Sequence, residues 1–341
     1  MERQIEHIAM HWVGNKSAEG DVVLSDRLLR RDEALETLLG EYFLSPFTAG
    51  EYFHLYHDAG LEYNLVYGVV SGIFRKPETL LEHSRTLARH LYEQSAHPKI
   101  KGGEFYVAYF TGCCLDGGTT DAVGLFKSEN KEPFLKVHSQ DGHFSLESDL
   151  GINVRKLDKG CLIFNREAED GYVVAVVDNT NKGADARFWT DDFLHLRQRR
   201  DGFANTQHVM TLAKNFVTKE LPKEFEVTKA DQIDLLNRSL EFFKGNDTFS
   251  MEEFTQEVIA QPEVVEKFQQ YRRVYEEEHE LRIDEEFGIS EDARRKQQRA
   301  YKRVIRLDRK IQIVIDGNRE NVEQGEDEKG KFYKVYYRLE E

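Results

Sequence analysis

The sequence predicts an α+β protein: a strand-rich mixed N-terminal domain, followed by a helical C-terminal domain that ends in a basic helix and a β-hairpin. At 341 residues the chain is longer than one typical domain. Strand-like and helix-like patterns are mixed up to about residue 220, and the pattern from there to about residue 310 is helical. We therefore expect two domains, residues 1–222 and residues 223–341.

The first hundred residues are expected to mix strands and helices. Residues 4–13 alternate as a half-buried strand would, with Ile8, Met10 and Trp12 on one side. Residues 32–43 have apolar side chains at helical spacing, and Pro77 begins a clearer helix with one apolar stripe. The apolar run 64–74 is too short to cross a bilayer and is interpreted as a strand.

Strands are expected to dominate the middle of the chain. Residues 103–116 and 119–129 flank Gly117 and Gly118, which predicts a hairpin. Further strands are predicted in PFLKVH, KGCLIFN and YVVAVVDN, and a helix is predicted at about 203–219. The three cysteines lie in these apolar, strand-like contexts and are interpreted as buried free thiols: Cys113, Cys114 and Cys161.

The C-terminal domain shows the signals with which helices begin. Thr228 and Asp231 fit a loose capping box ahead of an apolar helical pattern that stops at Gly245. Ser250 is suited to cap a second helix, and Pro262 to begin a third. These signals predict three consecutive helices before the basic segment.

Positive charge is concentrated in residues 294–310, RRKQQRAYKRVIRLDRK. Nine of these residues are Lys or Arg and only Asp308 is acidic, although the whole chain has a net charge of −15. Residues 291–310 sum to +6, so the rest of the chain sums to −21. Ser290 is a suitable N-cap, with Glu291 and Asp292 in the first turn, so a helix is predicted from 291 to about 307.

On such a helix the cations would form one ridge. Arg295, Arg299, Lys302 and Arg306 fall on one arc, opposite an arc that contains Ala293. Like charges four residues apart repel by roughly 0.2–0.5 kcal/mol per pair. A polyanion such as duplex DNA would supply the missing negative charge, which makes the arrangement favourable.

A basic hairpin is expected after this helix. Residues 311–315 read as one strand and residues 331–339 as its partner, with Lys334, Tyr336 and Arg338 on one face. The predicted DNA-binding residues are the cations of both elements: Arg294, Arg295, Lys296, Arg299, Lys302, Arg303, Arg306, Arg309, Lys310, Lys334 and Arg338.

Two observations favour a less specific interpretation of the charge. Residues 276–286, EEEHELRIDEE, carry seven acids against one arginine, so the acidic and basic blocks would neutralise each other or the acidic block would shield the basic one. A second cluster, Arg197, Arg199 and Arg200, fits phosphate contacts and pairing with nearby carboxylates equally well.

No pattern in the sequence indicates catalysis. His7/His11 and His54/His57 lack a third ligand at suitable spacing, and GCCLDGGTT lacks the lysine of a phosphate-binding loop. Residues 308–310 have only the D-x-K shape of some metal-dependent nucleases. We therefore expect no enzyme activity, no metal and no cofactor.

Several segments, in this order, resemble the bacterial nucleoid-associated proteins of the NdpA/YejK type. They are VRKLDKGCLIF (154–164), VVAVVDN (173–179), ARFWTDDFLHL (186–196), DQIDLLNRSLEFFK (231–244), and residues 290–320 through to KFYKVYY. The resemblance spans nearly the whole chain. It implies a nucleoid protein that binds double-stranded DNA, has a functional link to type II topoisomerases and has no established catalysis.

The predicted function is DNA binding through phosphates, with little sequence preference. The alternatives are an adaptor that docks a protein partner without touching DNA, and a metal-dependent nuclease. Because the N-terminus lacks a signal peptide and no apolar run is long enough to cross a bilayer, we expect a cytoplasmic, nucleoid location without membrane contact. The oligomeric state stays open, with a homodimer among the options.

Overall fold

The computed structural model of the chain describes residues 4–48, 50–140, 142–180, 188–301, 304–308, 310–314 and 322–339. The chain divides into two compact units, Met1–Arg199 and Arg200–Glu341. Strands and helices are mixed in the first unit and helices dominate the second, so the structure confirms the predicted α+β class. The division into domains at 222/223 stays a prediction.

The first unit is built on an antiparallel sheet. Its strands are β1 Gln4–Val13, β2 Val22–Val23, β3 Phe53–Leu55, β4 Gly103–Leu115, β5 Gly118–Ser128, β6 Glu132–Gln140, β7 His143–Gly151, β8 Lys159–Phe164, β9 Val173–Asp178 and β10 Leu196–Gln198. In the described part of the chain, eight of them form one sheet in the order β10-β3-β9-β8-β5-β4-β1-β2. Strands β6 and β7 pair separately, as a hairpin.

Helices cover both faces of the large sheet. They are α1 Glu33–Leu44, α2 Leu65–Arg75 and α3 Leu80–Gln94. Strand β4 explains the two layers, because successive side chains of a strand point to opposite faces. Phe105 and Val107 pack into the core with α2 and α3, whereas Tyr106 and Phe110 pack into the core with α1.

Most predicted elements of the first unit are confirmed. Cys114 is exposed although all three cysteines were expected to be buried, and two strand assignments were wrong. Residues 64–74 form helix α2 and not a strand, because Val66, Val70 and Ile73 are buried at helical spacing and the Asn64 side chain caps the first turn. In β1, Ile8 is buried but Met10 and Trp12 are exposed. The strand is buried instead through its opposite face, and a register shift between Ile5 and His7 interrupts the alternation.

The second unit is mostly helical around an aromatic core. Its helices are α4 Gly202–Asn215, α5 Leu221–Glu224, α6 Lys229–Gly245, α7 Met251–Phe254, α8 Pro262–Glu278 and α9 Glu291–Gln298. Its strands are β11 Thr248–Ser250, β12 Glu286–Gly288, β13 Val304–Leu307, β14 Ile311–Val314, β15 Val322–Asp327 and β16 Gly330–Val335. Phe249 stacks between Phe243 and Phe287, with ring centroids 5.5 and 4.8 Å away.

The predicted helix starts of this unit are confirmed. Thr228 and Asp231 form a full capping box at α6, and the Ser250 side chain accepts a hydrogen bond at the start of α7. Pro262 occupies the first turn of α8. Among the described residues, no helix combines the length and the apolar composition that crossing a membrane requires.

Candidate nucleic-acid interface

The basic segment begins as the sequence predicts. The Ser290 hydroxyl accepts a hydrogen bond from the backbone N–H of Ala293, which fixes the first turn of α9. Ala293 is fully buried where α9 packs against α4. This contact places the start of the basic segment on the body of the second unit.

The predicted helix to residue 307 was wrong, because α9 ends at Gln298. Bonds of the i→i+3 type from Ala300 to Gln297 and from Tyr301 to Gln298 tighten the last turn. Tyr301 is buried and donates from its hydroxyl to the Met210 carbonyl oxygen at 2.6 Å. Burial raises the pKa of Tyr301, so the phenol stays protonated and able to donate.

The cations therefore do not form one helical ridge. Arg299 is the exposed residue that caps α9, and Arg306 lies on strand β13. Three predicted site residues, Lys302, Arg303 and Arg309, lie outside the described residues.

The three cations within α9 have different surroundings. Arg294 and Arg295 both pair with Glu291, at 3.3 and 2.6 Å. The Arg294 side chain is only 16% exposed, whereas that of Arg295 is 66% exposed and points outward. The Lys296 ammonium lies 5.6 Å from the centre of the Phe203 ring, a cation–π distance. Of the two arginines that pair with Glu291, Arg295 is thus the more accessible.

The β13–β14 hairpin turns further cations outward. Ile305 is buried in a small cluster with Ile233 and Val322, which fixes the inner face of β13. Because neighbouring side chains of a strand alternate, Arg306 is on the outer face, opposite Gln312. Lys310, in the turn of this hairpin, is exposed as well.

The predicted pairing of 311–315 with 331–339 was wrong. Strand β14 pairs with β13, and β16 pairs with β15, so the C-terminal part of the second unit contains two separate hairpins. Both use short turns, and short connections favour neighbouring strands as partners. Asp308, with φ of 47°, provides the left-handed residue of the first turn.

The cations of the last hairpin are partly neutralised. The Lys334 ammonium lies 3.6 Å from a Glu323 carboxylate oxygen and 5.4 Å from the centre of the Tyr336 ring. Hydrogen bonding to Tyr336, with the nearby Glu323 carboxylate, raises the pKa of Lys334. Lys334 and Tyr336 are in contact, but the predicted strand over 331–339 was too long: β16 ends at Val335, and Tyr336 and Arg338 lie exposed beyond it.

Some acids of the block 276–286 form ion pairs and hydrogen bonds within the second unit. Glu276 and Glu285 both pair with Arg272 of α8, at 3.0 and 2.8 Å. Glu276 also accepts the backbone N–H of Ile283, which is 1% exposed. These acids stabilise the fold locally. Of the acids that remain exposed, Glu286 lies on β12, whereas Glu277, Glu278 and Glu280 lie at the end of α8 or just after it and are the candidates for electrostatic shielding.

One arginine of the second cluster and one histidine of each pair have internal partners. Arg199 pairs with Glu167 at 2.5 Å and with Asp116 at 3.2 Å, and His54 also contacts Glu167, at 2.7 Å. His11 is hydrogen-bonded to the Ser84 hydroxyl. In the described part of the chain, no group of three or more His, Cys, Asp or Glu residues is placed to hold a metal ion.

The first unit contains a buried ion cluster that the sequence did not predict. The ammonium groups of Lys127 and Lys159 are fully buried, and Glu129 lies 2.9 Å from the first and 3.7 Å from the second. Lys159 also pairs with Asp178 at 3.0 Å. Burial lowers the pKa of Lys127. The only signal in the sequence is a lysine at the end of each apolar strand, which is more often a solvated position.

Comparison with known protein families gives one match over most of the chain. The model of the family NA37, described as nucleoid-associated protein YejK, matches residues 9–329. No curated protein matches the chain.

Proposed function

Because the chain belongs to the NA37 family of nucleoid-associated protein YejK, we propose that it binds double-stranded DNA through the phosphates, with little sequence preference. One observation carries this proposal. Among the described residues, five cations between 295 and 310 are exposed, and Asp308 is the only acid of that range in the sequence. Lys296 lies against the Phe203 ring, and the other four are Arg295, Arg299, Arg306 and Lys310.

The strength of the interaction should depend steeply on salt. Each phosphate that a cation neutralises releases condensed counterions, which contributes about −0.9 to the slope of log K against log salt concentration. Four such contacts predict a slope of about −4. The rest of the chain is strongly acidic, so DNA contact should be confined to this segment.

A four-site variant tests the proposal. We expect Arg295→Ala, Arg299→Ala, Arg306→Ala and Lys310→Ala together to remove most of the affinity for a random-sequence duplex, measured by fluorescence anisotropy between 50 and about 200 mM salt. The matched control removes four other exposed cations: Lys16→Ala, Arg27→Ala, Lys156→Ala and Lys223→Ala. Equal losses in both variants, or a wild-type affinity that ignores salt, would contradict phosphate binding by this segment.

The exposed acids of the block 276–286 allow a second test of the same surface. If it shields the cations, Glu277→Gln, Glu278→Gln and Glu280→Gln should tighten DNA binding without touching the buried contacts of Glu276. Deleting residues 276–286 is a poorer test, because it removes the buried Ile283 and both carboxylate partners of Arg272. Unchanged affinity in the triple variant would end the shielding hypothesis.

A protein-binding role is the second candidate. Pairing of Arg294 and Arg295 with Glu291, and of Lys334 with Glu323, favours it, because paired cations attract DNA less. In this case the chain docks a partner, with a type II topoisomerase the one we propose to test. Purified chain that retards no duplex DNA yet changes the rate of topoisomerase relaxation would support the adaptor.

We further propose that the chain has no nuclease activity. Asp308 and Lys310 form the turn of a short hairpin, and Arg309 between them lies outside the described residues. Incubation of supercoiled plasmid with the chain and Mg²⁺ or Mn²⁺ should leave the plasmid intact. Nicking that depends on the metal, and that Asp308→Asn removes, would establish the nuclease instead.

A further inference from the structure

The hairpin of β6 and β7 has one polar and one apolar face. On the polar face, Lys136 pairs with Asp149 at 2.7 Å and His138 with Glu147 at 3.3 Å. Phe134 lies on this face too, over the α-carbon of Gly151. Every charged side chain of the described hairpin is therefore turned to the same side.

The other face of the hairpin is apolar and open. The alternation of the strands and their register place together five large apolar side chains, each between 63% and 77% exposed: Leu135, Val137, Phe144, Leu146 and Leu150. Only two serines and Pro133 lie among them. In the described part of the chain, β6 and β7 pair only with each other. A two-stranded hairpin of this kind is marginally stable in water, so an apolar partner surface would stabilise it.

We propose that this face is an interface between two copies of the chain, in which the two hairpins pack face to face about a two-fold axis. The apolar face is self-complementary, since each copy brings the same uncharged surface and turns its charges away. Two such hairpins would form the two layers of a small sandwich, with the layers about 10 Å apart. This inference goes beyond DNA binding and does not depend on it.

Charge argues against two other occupants. Residues 132–151 contain four carboxylates and one lysine, a net charge of −3 without the histidines. An anionic lipid surface and DNA would both be repelled by this hairpin, whereas a second copy meets only its uncharged face. Interfacial membrane segments also carry Lys and Arg beside their apolar face, and here acids stand in that place.

The size of the face predicts a weak dimer. Nine-residue strands are ~30 Å long and two of them are ~10 Å wide, so the face covers roughly 300 Å² per copy. Stable interfaces bury about 800 Å² per partner. The dimer should therefore dissociate at micromolar concentrations. Because both copies are acidic, salt should strengthen it, the opposite of its expected effect on DNA binding.

Sedimentation of the full chain over a range of concentrations tests the dimer. We expect a shift from monomer to dimer in the wild-type chain, stronger at high salt, and a monomer throughout for Leu135→Glu with Leu146→Glu. A wild-type chain that stays monomeric at every concentration would overturn the proposal. Co-sedimentation of that monomer with phosphatidylethanolamine–phosphatidylglycerol vesicles would instead identify lipid as the occupant.

Cysteine cross-linking tests the geometry without disturbing the hairpin core. The exposed Cys114 is first replaced by Ser, which leaves the buried Cys113 and Cys161. Val137→Cys, at the middle of the apolar face, should then form a disulfide between copies on mild oxidation. The neighbouring Lys136→Cys, on the polar face, should not. Equal cross-linking at both positions, or none at residue 137, would overturn the face-to-face arrangement.

Discussion

His11 should make the stability of the first unit depend on pH. The ring is 3% exposed and held between two partners: its Nδ1 accepts the backbone N–H of Ser25 at 3.0 Å, so Nε2 carries the proton and donates to the Ser84 hydroxyl at 2.8 Å. Burial, with the charges of Arg85 and Arg89, lowers the pKa of His11 from 6.5 to about 4. Protonation of Nδ1 would break the bond from Ser25 and place a charge in the core.

The sign and size follow from proton linkage. Between pH 6.5 and about 4 the unfolded chain binds a proton at His11 that the folded chain does not. The stability contributed by the neutral ring is therefore full above pH 6.5 and falls as the pH falls towards 4. One pKa unit is worth about 1.4 kcal/mol, so the loss is about 2 kcal/mol at pH 5 and about 3 kcal/mol in full.

Urea unfolding at several pH values measures this loss. Both tryptophans, Trp12 and Trp189, lie in the first unit, so their fluorescence reports that unit alone. We expect His11→Asn to be less stable at pH 7.5 but to lose about 2 kcal/mol less than the wild type on going to pH 5. His143→Asn, at an exposed histidine, is the control. If His11→Asn kept the full wild-type loss, His11 would not be the cause of the pH dependence.

Two other substitutions test buried polar contacts. Tyr301→Phe removes the hydroxyl bond to the Met210 carbonyl and should cost about 1–2 kcal/mol in thermal unfolding followed by circular dichroism, whereas Tyr337→Phe, 72% exposed, should change nothing. Lys127→Met removes the nearer of the two ammonium groups beside the buried Glu129 carboxylate and should cost about 3–5 kcal/mol, of which adding Glu129→Gln should recover a part. A milder effect of the single variant would show that Lys159, 3.7 Å away, or a proton compensates the carboxylate instead.

Local signals in the sequence were sufficient to predict where helices begin. Ser290 and Thr228 each cap a helix through their own side chains, and that chemistry is complete within four residues. The end of α9 was not predictable in the same way. No Gly or Pro occurs between Gln298 and residue 316, and the helix stops because Tyr301 is buried against α4 and residues 304–307 pair with β14. Met210, the partner of Tyr301, is distant in sequence, and the pairing of β13 with β14 is recognisable only in the folded chain.

The candidate site was predicted in composition but not in arrangement. The exposure of Arg295 and Arg306 agrees with the proposed phosphate surface, yet the helix that was to align them is too short.

The β6–β7 hairpin was predicted only in part. PFLKVH was predicted as a strand, but β7 was not, because Ser145, Glu147 and Asp149 make its outer positions look like a loop. Only the pairing register shows that its apolar residues share one face with those of β6.

The rim of the large sheet has a consequence for aggregation. One border strand, β10, has three residues, and β2 covers only the last two residues of the ten-residue β1. Two backbone carbonyl groups on the remaining free edge of β1 already accept hydrogen bonds. The Leu29 N–H donates to the Ile8 carbonyl, and the Arg31 guanidinium donates to the Glu6 carbonyl at 3.0 Å. A foreign strand would have to displace a charged side chain to add there. Truncating Arg31 should thus expose a template for amyloid-like growth while leaving the sheet interior intact.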